Sequence, residues 1–170
     1  MITIRIADRT NFRPDSLDDF DRYQVVTDVY RLSGQELVRR PNPFTETWSP
    51  ERRREHAREV LSGEYITFCA FDGDRVAGGI MLLPEPDHGR LIVESFHVSR
   101  EYRRQGLGRR LFGAAKDEAR ARGARALYIS ACSAVETIDF YRAMGCVLSP
   151  DPIPEMVEKE PCDIQLECAL

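Results

Sequence analysis

The residues best suited to chemistry lie in one run, Glu94-Ser95-Phe96-His97-Val98-Ser99-Arg100-Glu101-Tyr102-Arg103-Arg104-Gln105-Gly106-Leu107-Gly108-Arg109-Arg110-Leu111. Its first part reads as a strand ending near Val98, and the spacing from Gly108 onward reads as a helix, so a strand enters a short loop that opens directly into a helix. The first four amides of a helix have no partner within it, and the aligned peptide dipoles place partial positive charge at that end. A loop of this build aims several N–H groups at one anion. Glycine at 106 and 108 leaves the backbone open to a pyrophosphate, while Arg103, Arg104 and Arg109 add forked donors at the rim. Two other phosphate loops are excluded. No Gly-Lys-Ser/Thr is present, and Gly106-Leu107-Gly108-Arg109-Arg110-Leu111 lacks the third glycine of the dinucleotide fingerprint.

The pattern Arg/Gln-x-x-Gly-x-Gly/Ala after a strand ending in Val98 resembles the acetyl-CoA loop of GNAT superfamily N-acetyltransferases. Downstream, Phe140-Tyr141-Arg142-Ala143-Met144-Gly145-Cys146 resembles the Phe-Tyr-x-x-x-Gly-Phe segment of the same superfamily. The resemblance spans Tyr65 to Leu148, and the whole chain looks like a bacterial branch of the superfamily. It implies an α/β (α+β) fold of the GNAT type, with a mixed, mostly antiparallel central sheet flanked by helices. It also implies a splay between the strands at 91–98 and 126–131. Acetyl-CoA is the implied co-substrate, with no metal. Phe96, His97 and Val98 are expected to offer backbone groups to the acetyl carbonyl and pantetheine arm. Arg103, Arg104, Gln105, Gly106, Leu107, Gly108 and Arg109 are expected to cradle the pyrophosphate, and Tyr141 to stand near the thioester sulfur.

Acyl transfer to an amine requires a proton acceptor for the amine, a donor for the oxyanion, and a proton for the departing thiolate. The resemblance assigns the oxyanion to the Val98 amide. A phenol with a pKa of about 10 suits protonation of the thiolate, which makes Tyr141 a catalytic candidate; a core aromatic on the inner face of its helix is the competing reading. Glu94 shares strand parity with Phe96 and Val98 and is the candidate base, through water; an exposed or ion-paired carboxylate is the alternative. His97 has opposite parity and is expected to face away. Ala134 stands where many family members carry asparagine, seven residues before the tyrosine. Cys132 would serve as a nucleophile only with a base beside it, and direct transfer is preferred.

These residues need elements to hold them. Ile2–Ile6 alternates as a first strand, and Asp15–Tyr23 resembles a short amphipathic helix after Pro14. Val25–Leu32 and Glu36–Arg39 flank Ser33-Gly34 as a hairpin, followed by a loop through Pro41, Pro43, Phe44 and Trp48. Trp48 reads either as a substrate lid or as a packing anchor. Ser49-Pro50-Glu51 starts a helix that runs to Leu61. Tyr65–Phe71 and Arg75–Leu83 flank the turn Asp72-Gly73-Asp74, and Leu91–Val98 is the next strand. A helix over Gly108–Arg122, a strand over Ala126–Ala131 and a helix over Val135–Met144 follow. Strands at Cys146–Leu148 and Ile164–Ala169 close the chain around a long loop rich in proline and acid. A single acyl-CoA-binding domain is expected over 1–170: an acceptor-side elaboration over 1–63, a cofactor core over 64–148, and a C-terminal loop and strand over 149–170.

The 170 residues carry 24 Lys and Arg against 28 Asp and Glu, a net charge of -4. That balance argues against a nucleic-acid partner. No apolar run approaches the ~20 residues of a membrane span, and the N-terminus does not read as a secretory signal, so the chain is expected in the cytoplasm. The five cysteines form no C-x-x-C pair and read as small buried hydrophobes. The leading function is N-acetyl transfer to a small-molecule or peptide amine, which the acidic loop (Asp151, Glu155, Glu158, Glu160) would bias toward cations. Two alternatives compete: a CoA or acyl-CoA sensor with little or no turnover, and a chain specialised for association as a homodimer.

Overall fold

A computed structural model describes residues 1–170. Seven strands form one sheet: β1 (Thr3–Ile6), β4 (Ile66–Asp72), β5 (Arg75–Leu82), β6 (Arg90–Val98), β7 (Ala126–Ala131), β9 (Ile164–Ala169) and β8 (Val147–Leu148), in that spatial order. Every neighbouring pair is antiparallel except β6 and β7. That parallel pair is joined through α2 (Leu107–Ala121), because strands running the same way need a crossover rather than a hairpin. The remaining elements are the β2 (Gln24–Ser33) and β3 (Glu36–Glu46) ribbon, α1 (Pro50–Leu61), α3 (Val135–Ala143) and α4 (Pro154–Lys159).

The period-2 alternation of the central strands gives the sheet two apolar faces. On one, Ala70, Ile80 and Leu82 pack against Leu111, Phe112, Ala115 and Ala119 of α2. On the other, Cys69, Phe71 and Met81 pack against Ala57 and Val60 of α1 and against Phe12, Leu17 and Phe20. α1 starts where Ser49 accepts a hydrogen bond from the Arg52 amide, with Pro50 in the first turn. The turn Asp72-Gly73-Asp74 closes the β4–β5 hairpin with Gly73 at φ 60°.

Three expected elements differ. Asp15–Tyr23 is not a helix but successive tight turns, with bonds from Ser16 to Arg13, Asp18 to Asp15 and Phe20 to Leu17. These turns bring Phe12, Leu17 and Phe20 inward together. β3 does not stop before Pro41 but runs through both prolines to Glu46, because a two-stranded ribbon has a free edge that needs no donor N–H. The acidic tail loop contains α4, opened by Pro154. Of the cysteines, Cys69, Cys146 and Cys168 are buried, Cys132 is half-buried and Cys162 is exposed.

Candidate active site

β6 and β7 pair only from Arg90 with Ala126 to Val93 with Ile129, and beyond that point they separate. A bulge sits at the same place: Val93 pairs with Leu82 and Ser95 with Met81, so Glu94 is the extra residue. Past the bulge, the Ser99 amide donates to the Ala77 carbonyl at 2.9 Å. Antiparallel alternation therefore assigns the His97 backbone to β5 and turns the Phe96 and Val98 backbone groups toward the opening. The Val98 carbonyl takes the Arg103 guanidinium at 2.9 Å, and its N–H faces the splay. A cleft of about 370 Å³ fills the gap.

The loop leading to α2 is built around two left-handed residues, Arg104 at φ 61° and Gly106 at φ 77°. A Cβ at Gly106 would meet no atom, so glycine serves the backbone conformation there. Gly108 has a different reason: a Cβ would sit 3.3 Å from the Phe140 ring, so α2 starts flush against α3. Across this loop the amides of Arg104, Gln105, Gly106, Leu107, Gly108 and Arg109 donate to no acceptor in the chain; the first α2 amide to do so is Arg110, to the Gly106 carbonyl. The result is a row of free N–H groups on a helix N-terminus, the geometry of an anion cradle. Arg104 and Arg109 are exposed beside it. Gln105 turns back to the Glu101 carbonyl at 2.8 Å. Arg103 turns inward instead, bonding the Val98, Tyr23 and Arg22 carbonyls, so its side chain laces the segment before β2 to the end of β6. Burial, with Arg22 nearby, lowers its pKa.

Tyr141 is 5% exposed, and it lines the cleft with a hydroxyl that has no hydrogen bond in the chain. Burial raises its pKa well above that of a free phenol, so it is held protonated. Phe96, Phe112 and Phe140 pack around it at centroid separations of 5.4 to 6.3 Å and fix its ring. Glu94 lies on the cleft wall and pairs with Lys159 of α4 at 3.4 Å. The His97 ring packs on the opposite face from Phe96, edge-on to Trp48 at 4.7 Å and 6.1 Å from His56. Trp48 also stacks on Phe20 at 5.6 Å and lies 4.8 Å from His56, the contacts of a packing anchor.

The model of the acetyltransferase (GNAT) family matches residues 33–146. The chain belongs to the GNAT acetyltransferase family. Among solved structures, a nourseothricin acetyltransferase is similar at 21% identity, covering 99% of this chain and 98% of that one with a TM-score of 0.74. A "putative streptothricin acetyltransferase" of Bacillus anthracis str. Ames, in complex with acetyl coenzyme A, is similar at 18% identity over 100% and 99% with a TM-score of 0.76. "Probable N-acetyltransferase 14" of Xenopus tropicalis is 28% identical over 81 residues, which is 48% of this chain and 39% of that protein. The chain thus matches about two-fifths of that relative's length.

Where many GNAT proteins carry asparagine, Ala134 is fully buried beneath Val26 and Val29 of the ribbon. Val29 bridges to Ala134, the Tyr30 amide donates to the Ser133 carbonyl at 2.8 Å, and Arg31 reaches the Ser133 hydroxyl at 2.7 Å. The β2–β3 ribbon occupies the space a longer side chain would need. It also brings Arg22, Gln24 and Glu46 to the cleft, which Glu160 and Asp163 close from the tail. None of these five was singled out as a site residue from the sequence. They come from segments more than a hundred residues apart with no shared spacing; the only prior signal was the acidity of the tail, which named Glu160 in a wider run.

Proposed function

We propose that the chain transfers an acetyl group from acetyl-CoA to a primary amine by direct attack within a ternary complex. The observation that carries this reading is the row of free amides from Arg104 to Arg109, opening beside a splay into which Phe96, Val98 and Tyr141 present unpaired polar groups. The co-substrate supplies a thioester carbonyl activated for attack. The α2 N-terminus, with Arg104 and Arg109, holds the pyrophosphate. Phe96 and Val98 run along the pantetheine arm, and the Val98 N–H donates to the oxygen as it becomes negative. Tyr141, kept protonated by burial, donates to the departing sulfur. Cys132 is a poor nucleophile for a covalent relay, because burial raises its pKa and leaves it as the thiol.

The acceptor enters on the ribbon side. Glu46, Glu94, Glu160 and Asp163 line that mouth, against the cations Arg22 and Arg103, and favour a positively charged amine. Acetyltransferases of the nourseothricin and streptothricin type share the whole fold, which makes those compounds the first acceptors to try. Thiol release from acetyl-CoA is measured against nourseothricin, spermidine, lysine amide and a free N-terminal peptide. Turnover with at least one cationic amine is expected, and Tyr141→Phe is expected to lower kcat by about 10²-fold while acetyl-CoA binding persists. A wild-type protein that binds acetyl-CoA yet acetylates none of them would instead favour a sensor.

A further inference from the structure

Four carboxylates line the cleft, and three are disqualified as proton acceptors by their surroundings. Glu46 is held by Arg22 at 2.6 Å, and Glu94 is held by Lys159 at 3.4 Å. Glu160 is exposed. Asp163 is half-buried, has no cationic partner, and stands close enough to Tyr141 for its charge to help keep that phenol protonated.

Asp163 also ends a chain of hydrogen bonds in which every donor points the same way. The Ile153 amide, at the start of α4, donates to the Tyr128 hydroxyl at 3.0 Å. With its oxygen so occupied, Tyr128 donates its own hydrogen to Gln165 Oε1 at 2.5 Å. That bond orients the amide so that Gln165 Nε2 donates to Ser130 Oγ at 2.9 Å, and Ser130 in turn donates to Asp163 Oδ2 at 3.1 Å. Bonds aligned this way polarise one another and fix the terminal acceptor. Oδ1 has no hydrogen bond and remains for a ligand. Tyr128 is fully buried, so the chain rests on the packed junction of β7 and β9.

Resting on the transferase reading above, we infer that Asp163 is the general base that takes the proton from the acceptor's ammonium group, with Ser130, Gln165 and Tyr128 as its positioning residues. The ammonium gives one proton to Asp163 and becomes a neutral amine. As the N–C bond forms and the C–S bond breaks, the second proton leaves nitrogen and one reaches sulfur from Tyr141, which is then reprotonated from that nitrogen through water. Asp163 releases its proton to solvent at the cleft mouth. Burial raises the affinity of Asp163 for a proton, opposed by the Ser130 hydrogen bond and reinforced by Glu160 and Glu46. The other charged or titratable groups lining the same cleft are Tyr141, Cys132, His97, Arg22, Arg103 and Glu94, the last paired with Lys159.

The test compares two nucleophiles by thiol release: the cationic amine that wild type acetylates fastest, and hydroxylamine, which is already neutral at pH 7. Asp163→Asn is expected to lose about 10²-fold in kcat/KM with the cationic amine and under about tenfold with hydroxylamine. Its rate with the cationic amine is expected to recover as the pH rises and the amine loses its proton unaided. Its melting temperature and its stabilisation by acetyl-CoA are expected at the wild-type level. Equal losses with both nucleophiles, or no loss with either, overturn the assignment. If Asp163→Asn does not fold, Ser130→Ala carries the same test, with a smaller loss expected for the cationic amine alone and an equal loss for both contradicting it. Wild-type protein that acetylates no amine removes the transferase reading and this one with it; wild-type turnover with an indifferent Asp163→Asn removes only this one.

Discussion

His97 and His56 show how residues beside the cleft report on their surroundings. Both rings are enclosed with Trp48 between the sheet and α1. Burial lowers the pKa of each; Arg22 adds to the effect at His97, while the 2.7 Å bond to Glu59 opposes it at His56. The folded protein therefore holds both neutral at pH values where the unfolded chain, with ordinary histidines at about 6.5, binds protons. Unfolding takes up protons in that window, so stability is full above about 6.5 and falls as the pH drops below it. Urea midpoints between pH 7.5 and 5 are expected to fall, and His97→Gln is expected to flatten that slope even where it lowers the midpoint. An unchanged slope would mean that His97 is not held neutral. At this scale the sequence was informative on parity, which places Phe96 and His97 on opposite faces. It gave no sign of Arg103 turning inward, because that side chain answers to carbonyls of Arg22 and Tyr23 some eighty residues away.

The elements divide the work between a contiguous half and an assembled half. The proposed donor half is the β6–loop–α2 unit, whose turn, glycines and helix start are adjacent in sequence and were readable from spacing. The hairpin at Asp72-Gly73-Asp74 and the capped start of α1 were readable for the same local reasons. The β2–β3 ribbon was readable only in its first half, since proline normally ends a strand and the free edge that tolerates it is a property of the assembled ribbon. Its seat on Ala134 was not readable at all. That seat makes a prediction: Ala134→Asn puts a longer polar side chain beneath Val26 and Val29 and is expected to cost about 1–3 kcal/mol. The loss should appear in urea unfolding together with reduced hydrogen-exchange protection across β2 and β3. Full stability with unaltered protection would show that the ribbon does not depend on this contact.

Across the whole molecule, the proposed site lies where the sheet fails to close. The splay beyond Val93 and Ile129 leaves backbone groups on β6 unpaired, and α3, the ribbon and the tail each deliver one wall. No helix is long and apolar enough to cross a membrane. The two edge strands carry exposed apolar residues, Ile6 on β1 and Val147 on β8, which keeps the homodimer as a proposal for size-exclusion chromatography. The central claim is that the free amides at the start of α2 bind the acetyl-CoA pyrophosphate. Its most direct test is the melting temperature with and without acetyl-CoA, for wild type, Gly106→Glu and Gly113→Glu. Gly113 lies on the same helix with open space at its Cβ and takes no part in the site. At ligand about 100-fold above Kd, wild type and Gly113→Glu are expected to rise by roughly 5–10 °C and Gly106→Glu by none. No rise in wild type, or an equal rise in Gly106→Glu, would contradict the account.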